Sequence, residues 1–298
     1  VAESSRILLV DGNNVLVRAM KATERSEMSA DGVSTGALVV FINSLSRYVR
    51  EERPDRIVVA WDGQYGSDYR LAIDPAYKAN RGTATIEWED FKQDAFGQAK
   101  AFLSAANIFM ASRPGVEADD IIASYWRQNR WSNKVIILSS DKDFMQLVTD
   151  GTEQIRLSAG GAPTDRWDEE RIFTELGYLP HDIPKIMALT GDKGDNVPGI
   201  PGIGPKTAVK ILKEAQWQLD EIQHPKVDGR LDEVKRNYTL VDLRDPHALL
   251  GRMPPVPLFA PTAPGEALAP LLMSFFETYR LANIQSKWIA GTLWSKVD

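Results

Sequence analysis

Three short apolar runs, each closing on aspartate, constrain this chain more than any other feature. Residues 6–10 read RILLV and stop at Asp11-Gly12-Asn13-Asn14. Residues 56–61 read RIVVAW and stop at Asp62-Gly63. Residues 134–138 read KVIIL and stop at Ser139-Ser140-Asp141-Lys142-Asp143. A strand that is apolar at nearly every position must be covered on both faces, as in parallel sheets. Helical patterns over 34–51, 87–106 and 117–130 separate these runs. Alternating strand and helix predicts an α/β domain with a parallel-rich central sheet flanked by helices. Ligands of such sheets sit beyond the C-terminal strand ends. Three strands ending in Asp would therefore aim three carboxylates into one crevice.

More acids follow the same logic. Residues 115–120 (GVEADD) place Glu117, Asp119 and Asp120 at the start of a helix. One acid there is explained by the helix dipole. Three within four residues exceed what capping requires and repel one another unless a cation neutralises them. Asp192 and Asp195 stand three apart in GDKGDN. The tally is nine carboxylates: Asp11, Asp62, Glu117, Asp119, Asp120, Asp141, Asp143, Asp192 and Asp195. Cysteine is absent, and His181, His224 and His247 are scattered. An oxygen-only donor set favours Mg²⁺ or Mn²⁺ over zinc. Nine acids exceed the needs of one Mg²⁺ and suit two ions about 4 Å apart.

The stretch 191–208, GDKGDNVPGIPGIGPKTA, joins this cation-seeking half to an anion-seeking one. Gly199, Gly202 and Gly204 precede an amphipathic helix over 207–214, with Lys206 and Thr207 at its mouth. Bare backbone N–H groups and the positive end of the helix dipole suit a phosphate there. A P-loop is excluded, because Pro205 separates Gly204 from Lys206 and no apolar strand precedes the loop. After the second Asp strand comes 74–81, DPAYKANR. It reads either as a solvated loop or as a phosphate clamp, with Lys78 and Arg81 on the phosphate and Tyr77 stacking on a base.

The remainder is plainer. A further strand is expected over 154–157, helices over 184–189 and 220–244, a Pro-rich linker or wrap over 252–265, and a last helix over 268–282 with nothing after it. The net charge of −6 does not favour nucleic acid as a partner. Acids gathered at a metal site lower net charge without touching a DNA-facing surface, so the exclusion is weak. Lack of cysteine rules out disulfides, thiol nucleophiles and Cys-zinc sites. No apolar run approaches a membrane span. These features predict a soluble, cytoplasmic protein without membrane association.

Taken in order, VDGNN with Arg18, WDG, YKANR, GVEADD, SSDKD, the 191–208 stretch and NYTLVDL resemble the flap endonuclease or 5′-nuclease family. That family includes bacteriophage 5′–3′ exonucleases and the N-terminal nuclease domain of bacterial DNA polymerase I. The likeness covers most of residues 6–245, and the chain looks like the free-standing, phage-like form, in a host cytoplasm. It implies a PIN-like catalytic domain over 1–180 with an arch at about 82–98. A helix–three-turn–helix region over 181–250 and a Pro-rich segment with a helix over 251–298 would follow. It implies hydrolysis of DNA at 5′ flaps, nicks or single-strand/duplex junctions and 5′ ends in replication and repair, by a monomer, leaving 5′-phosphates. Asp62, Glu117, Asp119 and Asp141 would serve one metal; Asp141, Asp143, Asp192 and Asp195 the other; Asp11 and Asp120 would stand in the first or second shell. Lys78 and Arg81 would stabilise the scissile phosphate, with Arg18 as a further basic residue of the site. Gly199 to Lys206 would hold the duplex, with K⁺ on the hairpin carbonyls. The arch departs from the family pattern, carrying Glu87, Glu89, Asp90 and Asp94 against Lys92. Its Trp88 and Phe91 read as core before they read as base-stacking rings.

Two other classes are weighed. A non-catalytic DNA-binding module should have lost some of the acids, and none of the nine is missing. An Asp-nucleophile phosphatase should carry Asp-x-Asp after its first strand, whereas Asp11-Gly12-Asn13 lacks the second acid.

Overall fold

The computed structural model describes residues 5–82, 85–158, 162–244 and 252–294, without the side chains of 86 and 87. His247 and the Glu87 side chain lie outside the described set. The chain runs β1 (Ser5–Asp11), α1 (Gly12–Thr23), a short hairpin of β2 (Ser29–Ala30) and β3 (Val33–Ser34), α2 (Gly36–Glu52) and β4 (Arg56–Ala60). It continues through α3 (Asp68–Ile73), α4 (Ile86–Ala105), β5 (Met110–Ala111), α5 (Ala118–Asn129), β6 (Asn133–Leu138), β7 (Thr152–Arg156) and β8 (Asp165–Trp167). Then come α6 (Glu169–Leu176), α7 (Ile183–Thr190), β9 (Gly191–Asp192), β10 (Val197–Pro198), α8 (Pro205–Glu214) and α9 (Leu231–Val241). The C-terminal part holds α10 (Ala269–Thr278) and α11 (Ala282–Ile289).

The central sheet has the order β5-β4-β1-β6-β7-β8. Every pairing in it is parallel except β7 with β8. The expected α/β architecture is thus observed. Successive strand residues point to opposite faces, and the apolar runs divide accordingly. Leu8, Val10, Ile57, Val59, Ile136 and Leu138 face α1, α2, α4 and the C-terminal helices. Ile7, Leu9, Val58, Ala60, Val135 and Ile137 face α5. Burial on both faces is why these strands read as unbroken apolar runs.

A separate cluster forms the smaller core of the C-terminal half, where Ile186 and Leu189 of α7 meet Ile200, Ile203, Ile211 and Leu212. The 252–265 stretch is a wrap rather than a free linker. Met253 and Val256 bury in the α5 side of the sheet, while Phe259 packs against the opposite core. Backbone bonds from Phe259 to Asp55 and from Thr262 to Ala106 fasten it.

Two helical expectations need correction. The pattern over 220–244 yields an α-helix only from Leu231, because Pro225 and the left-handed Gly229 (φ 71°) interrupt what precedes it. The single helix expected over 268–282 stops at Thr278, and α11 follows it. Arg280 takes a left-handed conformation (φ 52°) that breaks the chain between them. Trp288 of α11 is 3% exposed and donates its indole N–H to the Thr262 carbonyl at 2.8 Å. Trp88 and Phe91 of α4 pack partly buried on the core, as their core reading predicts.

Candidate active site

The strand ends are stitched to one another before any ligand is considered. Asp11 closes β1 and caps α1, accepting from the Asn14 N–H at 2.9 Å and from the Ser139 hydroxyl at 2.8 Å. Asn13 reaches the end of β4: its amide donates to Asp62 at 2.6 Å, and its carbonyl accepts from the Asp62 N–H at 3.0 Å. Asn14 reaches the end of β6 by accepting from the Ser140 N–H at 3.0 Å. Polar residues directly after apolar strands thus fix where the carboxylates stand.

Beyond those ends lies a cleft of about 800 Å³. Seven of the nine acids line it: Asp11, Asp62, Asp119, Asp141, Asp143, Asp192 and Asp195. Lys78, Arg81, Lys92 and Lys142 line it too, as does Pro205 at the start of α8. Among the described residues no three carboxylates are drawn into one ready-made cage; they line a cleft instead.

Glu117, expected on a metal, and Asp120, expected in the first or second shell, stand behind that wall. Arg70, 4% exposed, donates Nη1 to Glu117 at 2.7 Å and to Asp120 at 2.8 Å, and Nη2 to the other Asp120 oxygen at 2.8 Å. Glu117 also accepts from the Ser67 hydroxyl at 2.7 Å and from Lys78. Successive helix residues project about 100° apart, so Asp119 can face the cleft while Asp120 faces Arg70.

The electrostatics separate the two groups. Burial would raise the Glu117 carboxyl, but Arg70 and Lys78 outweigh it and hold it at about 2. Four of the cleft acids move the other way. Burial, then the neighbouring carboxylates Asp141 and Asp192, push Asp143 up to about 8. Burial chiefly pushes Asp11 up to about 7 and also raises Asp62, and burial with Glu117 nearby raises Asp119. One buried oxygen of Asp143 has no hydrogen-bond partner. Crowded acids that resist ionisation, with an orphaned oxygen among them, are the chemistry of a hard-cation site. The residues present therefore fit a divalent ion.

The 74–81 loop is largely exposed but not free. Backbone N–H of Lys78 donates to the Asp195 carbonyl at 2.8 Å. Asn80 donates to the Lys193 carbonyl at 2.6 Å, and Asn196 to the Ala76 carbonyl at 2.7 Å. Arg81, its side chain 62% exposed, donates to Asp195 at 2.9 Å. The base-stacking role expected for Tyr77 is corrected: the residue is 4% exposed, and its hydroxyl donates to Asp195 at 2.7 Å and lies 3.2 Å from Glu117. No face of a ring so buried is available to a base. Arg18 is exposed, does not line the cleft, and donates to the Leu157 carbonyl at 3.0 Å. Val17 occupies the cleft-facing position beside it.

At the hairpin, Gly199 serves close packing rather than the surface. A Cβ there would stand 2.2 Å from the Thr190 carbonyl oxygen. Gly202, Gly204, Pro205 and Lys206 are exposed and Thr207 is half-buried, which leaves the start of α8 open. Lys226 donates to the Gly202 carbonyl at 2.7 Å, and Asn237 to the Pro198 carbonyl at 2.7 Å.

Sequence reasoning missed Arg70, the one charged residue of YRLAI, and Lys142, whose ammonium lies 3.4 Å from Asp192. A lone arginine within an apolar helical turn was the available signal for Arg70. Its place between Asp141 and Asp143 was the available signal for Lys142.

Comparison with known proteins adds the following. Residues 6–177 match the profile described as 5′-3′ exonuclease, N-terminal resolvase-like domain, and residues 178–248 match 5′-3′ exonuclease, C-terminal SAM fold. A 5′-3′ exonuclease of Aquifex aeolicus is 32% identical over 248 residues, covering 80% of this chain and 81% of that one. DNA polymerase I of Mycobacterium tuberculosis is 34% identical over 213 residues, covering 70% of this chain but 23% of the polymerase. The chain therefore spans about a quarter of that relative's length. A crystal structure of the bacteriophage T5 flap endonuclease with DNA and metal ions superposes with a TM-score of 0.68 at 21% identity, over 92% of this chain and 99% of that one. That likeness is one of fold.

Proposed function

Since the chain belongs to the 5′–3′ exonuclease family, we propose that it is a divalent-metal-dependent, structure-specific 5′-nuclease. Its substrates are DNA carrying 5′ flaps, nicks or single-strand/duplex junctions, and 5′ ends. The observation that carries this reading is one continuous cleft. Seven carboxylates, Lys78, Arg81 and the first residue of α8 line the same space. A duplex held at the α8 mouth would thus lie beside the acids.

Asp62, Asp119 and Asp141 would hold one ion, and Asp141, Asp143, Asp192 and Asp195 a second, with Mg²⁺ or Mn²⁺ as the occupant. Such ions supply Lewis acidity to the phosphate and activate water when bound. The protein's own groups do the rest. Asp11 fixes the carboxylate wall through Asn14 and Ser139. Arg70 keeps Glu117 ionised and holds Asp120 in place behind it. Lys78 and Arg81, now on Glu117 and Asp195, are the two cleft cations assigned to the scissile phosphate. The domain division expected from sequence is retained as part of the proposal: a catalytic part to residue 180, the hairpin region to 250, then the wrap and its helices. The hairpin grips the phosphate backbone with Gly202, Gly204 and Lys206. A K⁺ ion there would rest on the hairpin carbonyls. The proposed working form is a monomer, and no helix among the described residues is long and apolar enough to cross a membrane.

The test is incubation of a 5′-labelled flap duplex with the protein and Mg²⁺, with and without EDTA. Cleavage that EDTA abolishes supports the proposal. Binding without cleavage would make the chain a DNA-binding module.

A further inference from the structure

The opposite end of the sheet carries a second charged feature. Ser5, Arg56 and Lys134 lie at or near the N-terminal ends of β1, β4 and β6, about 20 Å from the acid cleft, given seven strand residues. A groove of about 650 Å³ there is lined by Ser5, Arg6, Arg53, Asp55, Arg56, Lys134 and Leu258. Arg56 also lines an adjoining depression of about 370 Å³ that includes Arg252. Four arginines and a lysine thus face one carboxylate, on a chain whose net charge is −6. Lys134 is paired with Glu153, but among the described residues none of the four arginines is in an ion pair. Two are pre-set: Arg56 donates to the Ser5 hydroxyl at 2.6 Å and Arg6 to the Glu52 carbonyl. Neither contact cancels charge. Arg53 and Arg252 are exposed. Like charges are gathered here at a cost in mutual repulsion that an anionic ligand would relieve.

We propose that this rim is a docking groove for an acidic, extended peptide segment of another protein, distinct from the DNA-binding face. Fixed guanidinium forks match carboxylates in bidentate geometry. Leu258, 69% exposed on the wrap, offers an apolar contact beside them. No aromatic ring lines either depression, so nothing there would stack on the bases of a single strand. A peptide mixing acids with an aliphatic residue uses both features of the groove.

The test titrates a fluorescein-labelled peptide of Asp and Glu around a central Leu pair into the full chain in EDTA, followed by anisotropy. Saturable binding is expected, unaffected by Lys206→Ala and not displaced by a flap duplex. The same peptide with Asn and Gln should not bind. Arg53→Glu with Arg252→Glu should weaken binding at least about tenfold, since charge reversal opposes the ligand, while flap cleavage in Mg²⁺ is unchanged. Arg53→Gln with Arg252→Gln gives the same direction if the reversal disturbs folding. Absence of saturable binding, binding indifferent to these substitutions, or displacement by the flap duplex overturns the proposal. So does an oligothymidylate bound more tightly than the peptide and lost on the same substitutions, which would make the groove a nucleic-acid site.

Discussion

Replacing Arg70 by Met should cost this protein about 3 kcal/mol of stability, and the structure gives two routes to that figure. The guanidinium holds Glu117 and Asp120 through contacts of 2.7 to 2.8 Å and the Leu240 carbonyl at 3.0 Å, with 4% of the residue exposed. Met keeps much of the stem's volume but strands two buried carboxylates. Removing one partner of a buried pair costs about 3–5 kcal/mol. By the second route, Arg70 and then Lys78, against burial, take Glu117 from 4.5 to about 2, a shift of roughly 3 kcal/mol for the two cations together, with Arg70 the larger of them. The sign of the pH dependence follows. A carboxyl held below its unfolded value contributes fully above that unfolded value of 4.5, and the contribution is lost as pH falls toward 2. Urea unfolding in EDTA should therefore show the full penalty at pH 7 and a smaller one below about pH 4. A variant within about 1 kcal/mol of wild type at pH 7 would refute the reasoning.

Three further outcomes are expected. Lys78→Ala should lose about 10²–10³ in single-turnover rate with flap affinity little changed; a proportional loss of affinity would make Lys78 a positioning contact only. Gly199→Ala, whose Cβ would stand 2.2 Å from the Thr190 oxygen, should lower the melting temperature and weaken binding to any duplex, checked by calorimetry and anisotropy; an unperturbed hairpin would show the backbones need not approach so closely. Asp195→Asn should bind a flap in Ca²⁺ at least as well as wild type yet cleave slowly in Mg²⁺, whereas Gly202→Asp should bind poorly and partly retain the saturated rate; equal losses in both variants contradict the division of the 191–208 stretch.

Much of the site was legible because it follows from strand ends. An apolar run buried on both faces declares itself, and the acid at its end has only the crevice to occupy. Asp11, Asp62, Asp141 and Asp143 were placed on that ground. Direction within a helix was not legible: Asp119 and Asp120 are adjacent, yet one lines the cleft and the other meets Arg70. Tyr77 was misread because burial of a loop residue depends on another loop, here 192–196, arriving from elsewhere in the chain. The direction of Arg18 was not legible for a similar reason, since one helical position separates it from the cleft-facing Val17. Two C-terminal helices looked like one because a left-handed arginine carries no sequence mark of the kind glycine provides.

The central claim is that the cleft carboxylates hold divalent ions for phosphodiester hydrolysis. Single-turnover cleavage of a 5′-labelled flap duplex by Asp141→Asn, beside wild type in Mg²⁺ and in Ca²⁺, tests it most directly. Asp141 lines the cleft and is shared by the two proposed ion sets. Wild type should cleave in Mg²⁺ and bind without turnover in Ca²⁺, whose longer bonds and looser geometry misplace the reacting oxygens. Asp141→Asn should bind and fail to cleave in either. Robust cleavage by Asp141→Asn, or by wild type in Ca²⁺ alone, would contradict the account.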